Sequence, residues 1–363
     1  MRCSADQKVV IFGCPLDCDE KYDAIQEKLS ETLKTAENDD PLIHVLRMLS
    51  AEVSDASWEL GGSIPVPGWL RPIPTRSDRS GILVDAFVDF IDHGGCRRFA
   101  EKTADLVTSE VLPGFPCMIA VDHSLTGGVY QALADHYGKE NLSLVILDSH
   151  TDALPMSTLA GAIMYDIDTN PSTHYDRTDP FLYNRPDSYN ASSFIHHMIA
   201  EGIIDPRNLY IIGVSDYPRK RTLRIKDRRI VDYVTAFTGL KKKGATVITK
   251  NDCMLKTSKV KKLLKKIRTP YVYLSVDMDI GARNAVEGVR FRNWQGLQEK
   301  QIYRVVDSIA EAGHKRWELV GMDVTEFNPR IAGRMFGTVK DRTYEVAANL
   351  VKKMVFNMNN NLY

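Results

Sequence analysis

Three short stretches hold the side chains that could do chemistry. Asp148-Ser149-His150-Thr151-Asp152 places two carboxylates and an imidazole at every second position, just after the apolar residues 142–147. In an extended chain such positions point the same way, so the three groups could converge. Taken alone, this run is as easily a polar surface turn, because Asp and Ser are common turn residues. Asp277-Met278-Asp279 ends a second apolar run, 271–276, again with acids two positions apart. One such pair could be merely solvated. Two strand ends that both deliver acids to one sheet edge are harder to dismiss, since like charges repel there unless cations lie between them. The third stretch is Asp122-His123-Ser124, after residues 116–121. Ser124 could cap a following helix with Asp122 near its positive end, which is compatible with a ligand role for His123.

Together these stretches supply the carboxylates of Asp148, Asp152, Asp277 and Asp279 and the imidazoles of His123 and His150. The four acids would balance two divalent cations. An oxygen-rich set with two nitrogens suits Mn2+, with Ni2+ or Zn2+ as alternatives. Two such ions about 3.5 Å apart can share a bridging water and lower its pKa, giving a hydroxide nucleophile without any Ser or Cys. A metal-dependent phosphohydrolase would need a Gly-rich phosphate cradle, and the sequence offers none.

The elements that must position these groups follow from the apolar pattern. Nearly continuous apolar runs predict strands over 9–14, 86–91, 116–121, 142–147, 209–214, 246–249, 271–276 and 319–322, as expected where both sheet faces are covered. Periodic segments predict helices over 22–36, 97–110, 125–137, 192–201, 258–267, 299–311 and 344–354. This alternation implies a three-layer α/β/α architecture with a mainly parallel sheet, in which sites lie at the carboxyl ends of strands. With no Pro/Gly/Ser-rich linker and no repeat, the 363 residues are expected to form one domain, 1–363. Two irregular insertions are expected, at 37–79, which is rich in proline, and at 153–190, which is polar, lacks a period and is placed to act as a lid.

Composition narrows the function. Apolar residues make up 44% and charged residues 26% of the chain, with 47 basic and 47 acidic side chains. That balance argues against nucleic acid or an anionic membrane as partner. No run is long enough to span a bilayer and the start has no apolar signal core, so a cytoplasmic location is expected. Cys14 and Cys18 are close in sequence, but no second pair completes a zinc clip; the six cysteines are expected to be free thiols. Lys256–Arg268 carries Val260, Leu263, Leu264 and Ile267 at helical spacing, so its lysines should form a solvated face.

The site segments resemble those of the ureohydrolase family: arginase, agmatinase, guanidinobutyrase and formimidoylglutamase. The family's Gly-Gly-Asp-His-Ser, Asp-Ala-His-x-Asp and Ser-x-Asp-x-Asp segments correspond to 120–124, 148–152 and 275–279. Gly13-Cys14-Pro15-Leu16-Asp17 is similar to its first-strand Gly-x-Pro-x-Asp, and Gly321–Pro329 to its late Asp-x-x-Glu-x-Asn-Pro. The resemblance implies an arginase-like fold around an eight-stranded sheet, a binuclear manganese cluster held by the six ligands named above, and a trimeric or hexameric assembly. It also implies that Glu326 holds the substrate's amidinium or guanidinium by charge-assisted hydrogen bonds. Departures accompany it. Ala120-Val121 replaces Gly-Gly, and the Asp-Pro that often follows the third segment is missing. Asn190-Ala191-Ser192-Ser193-Phe194 stands where guanidine hydrolases have a catalytic His-Gly. His174, in the insertion, is a possible proton shuttle or an ordinary loop histidine; His196 and His197 belong to the following helix. Asn190 is a candidate substrate contact. Arg283, Arg290 and Arg292 could clamp a substrate carboxylate or form rim salt bridges.

The expected function is hydrolysis of a C–N bond in a small linear guanidino, amidino or formimino compound, with Asp152 or another ligand relaying a proton and Glu326 orienting the departing group. The alternative is a protein that keeps the fold and metals but has lost catalysis, and acts in binding or regulation.

Overall fold

The computed structural model describes residues 7–30, 40–281, 286–292, 296–336 and 338–358. Eight strands, β1 (Val9–Cys14), β2 (Trp58–Ser63), β3 (Phe115–Ala120), β4 (Leu142–Leu147), β5 (Leu209–Val214), β6 (Thr246–Thr249), β7 (Tyr271–Asp277) and β8 (Glu318–Thr325), form one sheet in the order β2-β1-β3-β8-β7-β4-β5-β6. Every pairing in it is parallel. Strands β1, β3, β4 and β5 are buried along their whole length, which explains why apolar residues run through them without alternation.

Successive residues of each strand feed two cores on opposite faces. Ile11, Ile119, Leu147, Leu274 and Val276 pack with the helices Glu299–Gly313 and Thr343–Met354. Phe12, Met118, Ile146, Ile211 and Tyr273 pack with the helices Gly95–Leu106, Thr126–Tyr137 and Phe194–Ala200. Of these, the helices Gly95–Leu106 and Thr126–Tyr137 approach so closely that a Cβ on Gly128 would lie 1.9 Å from the Ala100 carbonyl oxygen.

The predicted elements differ from the structure in several places; the helices Arg228–Lys242 and Lys250–Leu255, for example, have no counterpart among them. Residues 86–91 lie in a helix, Val84–Asp92, whose Phe87 and Ile91 are buried one turn apart; its apolar run had suggested a strand. Strand β2 falls inside the 37–79 insertion, an edge strand with two glycines and an exposed Leu60. The same insertion holds the helix Pro41–Leu49, started by Asp40, whose side chain accepts from Leu42 N–H, with proline in the first turn. The 153–190 insertion begins with a helix, Met156–Thr169, packed on the helix Arg228–Lys242 and tied to it by an Asp168–Arg229 ion pair of 2.7 Å. Its far end is also pinned. Arg185 sits buried between Glu20 and Asp92, and Tyr189 Oη donates to the Ser124 carbonyl at 2.7 Å. The end of the predicted helix 22–36 lies outside the described residues; its described part is Tyr22–Ser30.

Candidate metal centre

The strand order puts the site at a switch point. The chain passes from β3 to β4 across two positions that β8 and β7 later fill, so the carboxyl ends of β3, β8, β7 and β4 open beside one another. Register keeps those ends level: Ile119 pairs with Val324, Asp277 with Thr325, and Leu147 with Val276.

Strands β3, β4 and β7 then each turn on an acid at or just past their ends. Asp122, Asp148 and Asp277 accept from the backbone N–H two residues on, at 3.0, 2.6 and 2.7 Å. Such Asx turns bring the chain around sharply; Oδ2 of Asp148 and of Asp277 then faces His123, while Asp122 Oδ2 meets Cys18 and Arg290. Asp152 takes a left-handed backbone (φ 47°), so the extended alternation expected for 148–152 does not persist. Asp148 and Asp152 instead meet His123 and Asp277, while His150 turns to Asp279.

Two ligand groups result: His123, Asp148, Asp152 and Asp277, and Asp148, His150 and Asp279, each with donor atoms within 4.8 Å of one another. Asp148 belongs to both. His123 Nδ1 stands 2.9 Å from Asp152, 3.2 Å from Asp277 and 3.6 Å from Asp148. His150 Nδ1 lies 2.8 Å from Asp279, with its side chain 44% exposed at the mouth. Asp148 Oδ2 is buried without a hydrogen-bond partner, and Asp279 Oδ2 meets the His150 imidazole at 2.8 Å outside hydrogen-bond geometry, an arrangement that a cation would complete.

The electrostatics agree with that fit. Burial, then the charges of Asp152, Asp277 and Asp279, push the Asp148 carboxyl well above the usual range. Burial and Asp279 push Asp277 up to about 7. Burial also works against ionised Asp279, but His150 and donors from Ser149 outweigh it and hold that carboxyl low. Burial disfavours charged imidazole at His123, yet Asp152 and Asp277 raise it well above its ordinary value. Divalent cations among these groups would favour the ionised carboxylates and the neutral imidazoles again.

Behind His123 stands a support that the sequence did not disclose. Ser275 Oγ donates to Asp323 Oδ1 at 2.6 Å and lies 3.0 Å from His123 Nε2. Having given its one proton to Asp323, the hydroxyl accepts from Nε2–H, which leaves the Nδ1 lone pair for a metal. Asp323 is fully buried and also accepts from Thr126 at 2.9 Å and from Tyr273. Asp216, just past β5, is a further carboxylate missed by sequence reasoning. Its Oδ1 is buried and unpartnered, and burial, opposed by His150, raises it to about 6. Its signal was an acid closely following the apolar run 209–214, as at the other strand ends.

The expected substrate residues fall in different places. Glu326 turns in with a left-handed backbone (φ 65°); its N–H donates to the Val121 carbonyl at 2.9 Å. Its Oε1 accepts from His123 N–H at 3.0 Å, and its Oε2 is buried without a partner. Arg290 does not stand ready to clamp a carboxylate. Its side chain is 6% exposed and is occupied by Asp122 at 3.0 Å, Asp17 at 3.5 Å and Glu326 at 3.7 Å. Nor does Asn190 offer its oxygen to the site: Oδ1 accepts from Ser192 N–H and Oγ, building the turn into the next helix. Arg292 is exposed, and Arg283 lies outside the described residues. His174 is exposed, its ring tilted against that of Tyr175, while His196 and His197 are half-buried and outside the ligand groups. The described cysteines are all buried and free; Cys18 lies near Cys96, not Cys14. No helix among the described residues is long and apolar enough to cross a membrane.

Fold and site together define an α/β protein with a carboxylate–imidazole cluster, able to bind metal, at the carboxyl edge of a parallel eight-stranded sheet. The chain belongs to the Arginase family, whose sequence model matches residues 7–356. Its fold is similar to that of an arginase from Bacillus caldovelox, at 17% identity and a TM-score of 0.58, covering 98% of this chain and 100% of that one. It is also similar to formimidoylglutamase from Bacillus subtilis (14% identity, TM-score 0.57, 96% of this chain and 86% of that one). A third similar structure is proclavaminate amidino hydrolase from Streptomyces clavuligerus (19% identity, TM-score 0.53, 95% and 89%). A search of curated proteins returns no match.

Proposed function

We propose that this protein is a hydrolase that uses two divalent cations to cleave a C–N bond of a linear guanidino, amidino or formimino compound, within one unit spanning 1–363. The observation that carries the proposal is the pair of ligand groups sharing Asp148, in a chain of the Arginase family. His123, Asp152 and Asp277 would hold one cation, His150 and Asp279 the other, and Asp148 both. Cations there would supply Lewis acidity and acidify water at neutral pH, and the mixed oxygen–nitrogen donors suit Mn2+.

The remaining work falls to the chain. Glu326 Oε2 would accept an N–H of the substrate and orient the departing nitrogen. Asp152, beside His123 and only 7% exposed, would carry a proton toward that nitrogen. Ser275 and Asp323 would keep His123 in the ligating tautomer. Burial of the whole cluster except His150 excludes bulk water and strengthens these interactions.

A second possibility, a metal or metabolite binder without turnover, is favoured by the segment 190–194, where the family's guanidine hydrolases have a histidine. One experiment separates the two. Purified protein is supplied with Mn2+ or Ni2+ and screened for release of urea, ammonia or formamide from a panel of linear guanidino, amidino and formimino compounds. Turnover that disappears in Asp148→Asn supports the hydrolase. Metal uptake with no turnover across the panel supports the binder, and protein that takes up no metal contradicts both.

A further inference from the structure

The buried guanidinium of Arg290 touches the group expected to anchor the substrate. The two residues are locked together by backbone as well as charge. Val289 and Phe327 form an antiparallel bridge, and Arg290 N–H donates to the Glu326 carbonyl at 3.1 Å. The Arg290 Nη1 then sits 3.0 Å from Asp122 and 3.7 Å from Glu326 Oε1, and Nε 3.5 Å from Asp17. Asp17 in turn meets the fully buried Lys28 at 3.2 Å and Arg330 at 3.9 Å. The acids in ion-pair contact with Arg290 are Asp17, Asp122 and Glu326, and the cations around them are Arg290, Lys28 and Arg330. Glu27 adds a further acid 3.7 Å from Arg330, and within this network the Glu326 carboxylate is balanced by the Arg290 guanidinium.

That balance bears on what can occupy the position beside Glu326. A guanidinium is charged at every physiological pH. An alkylguanidinium approaching Glu326 Oε2 would meet the like charge of Arg290 across the same carboxylate, in a buried setting where such repulsion is weakly screened. An uncharged N–H donor meets no such opposition, and Oε2, buried and without a partner, still needs one.

We propose that Arg290 is a specificity-determining residue, the resident counter-ion of Glu326, and that it selects uncharged C–N groups over alkylguanidinium cations. The inference rests on the hydrolase reading above and narrows its substrates to weakly basic members, such as acylated amidines, and their ureido isosteres. Arg290 is not a catalytic residue in this account; it acts through Glu326.

The test uses two probes that differ by one heteroatom, n-butylguanidinium and n-butylurea, titrated calorimetrically into the manganese-loaded full chain. The wild type should bind n-butylurea at least as tightly as n-butylguanidinium. Arg290→Met, which keeps the stem but removes the charge, should move the preference toward n-butylguanidinium by tenfold or more, and Arg290→Lys should retain the wild-type order. Tighter binding of n-butylguanidinium by the wild type, binding of neither probe, or equal changes for both probes in a folded Arg290→Met would overturn the inference. The wild-type comparison decides even where Arg290→Met does not fold. Failure of the hydrolase reading is seen separately, as absence of manganese uptake or of metal-dependent turnover. A chain that takes up manganese, hydrolyses and prefers the cation fails only this inference.

Discussion

Replacing Ser275 by alanine tests how the fold prepares His123 for a metal. The hydroxyl lies 3.0 Å from His123 Nε2 as its hydrogen-bond partner, and it also gives Asp323 Oδ1 its 2.6 Å donor. Its loss frees the imidazole to change tautomer or tilt, while Phe194, edge-on to the ring at 5.0 Å, still limits its position. Supports of this kind are worth about 10–100-fold in metal affinity, or about 1.4–2.7 kcal/mol. Asp323 would lose one donor but keep Tyr273 and Thr126 on Oδ2, so the metal-free fold should lose about 1–3 kcal/mol. Competition with a chelating indicator gives the first quantity and denaturant unfolding of metal-free protein the second. A folded Ser275→Ala that binds Mn2+ as tightly as wild type would refute the idea that the Ser275–Asp323 pair sets the ligand.

Other consequences can be measured together. In metal-free protein Asp148 and Asp277 titrate above their unfolded value, and His123 and His150 also titrate above theirs. At these groups the folded state therefore holds more protons than the unfolded one, and their stabilisation is lost as pH rises, at Asp277 through about 7. Added Mn2+ should accordingly raise the melting temperature more at pH 8 than at pH 6, and an equal rise at both would count against a proton-filled site. Lys28→Met should destabilise the fold by about 3–5 kcal/mol, because it strips the buried Asp17 of its 3.2 Å partner; urea unfolding would measure this, and a neutral result would mean that Arg290 and Arg330 suffice. Gly128→Ala drives a methyl into the Ala100 backbone and should cost about 1–3 kcal/mol or prevent folding, as read from soluble yield and melting.

The candidate ligand groups were legible because strands buried on both faces announce themselves as apolar runs, and an acid just after such a run marks the sheet edge. Leu147-Asp148 and Val276-Asp277 are of this kind. The pattern gave less where burial is partial: β2 has two glycines and an outward Leu60, and the helix Met156–Thr169 buries only Met156 among its residues. At 84–92 the β-rich run Phe87-Val88-Asp89-Phe90-Ile91 also fits a helix, and packing against neighbouring helices decided it. Arg290 could not be placed from sequence. Its partners Asp17, Asp122 and Glu326 come from the ends of three other strands, and no local pattern distinguishes an arginine that turns inward. Ser275 and Asp323 face each other only through the pairing of β7 with β8. The fold and the metal-ligand segments therefore lie near the surface of the sequence, while the groups that tune them depend on tertiary register.

The central claim is that the shared carboxylate of Asp148 joins two cation sites. Equilibrium dialysis against Mn2+, with the protein-bound metal counted, tests it most directly. The account predicts about two ions per chain in the wild type and weakened uptake of both in Asp148→Asn, because that residue serves both ligand groups. A wild type that binds no Mn2+, or an Asp148→Asn chain that binds two ions with unchanged affinity, would contradict it.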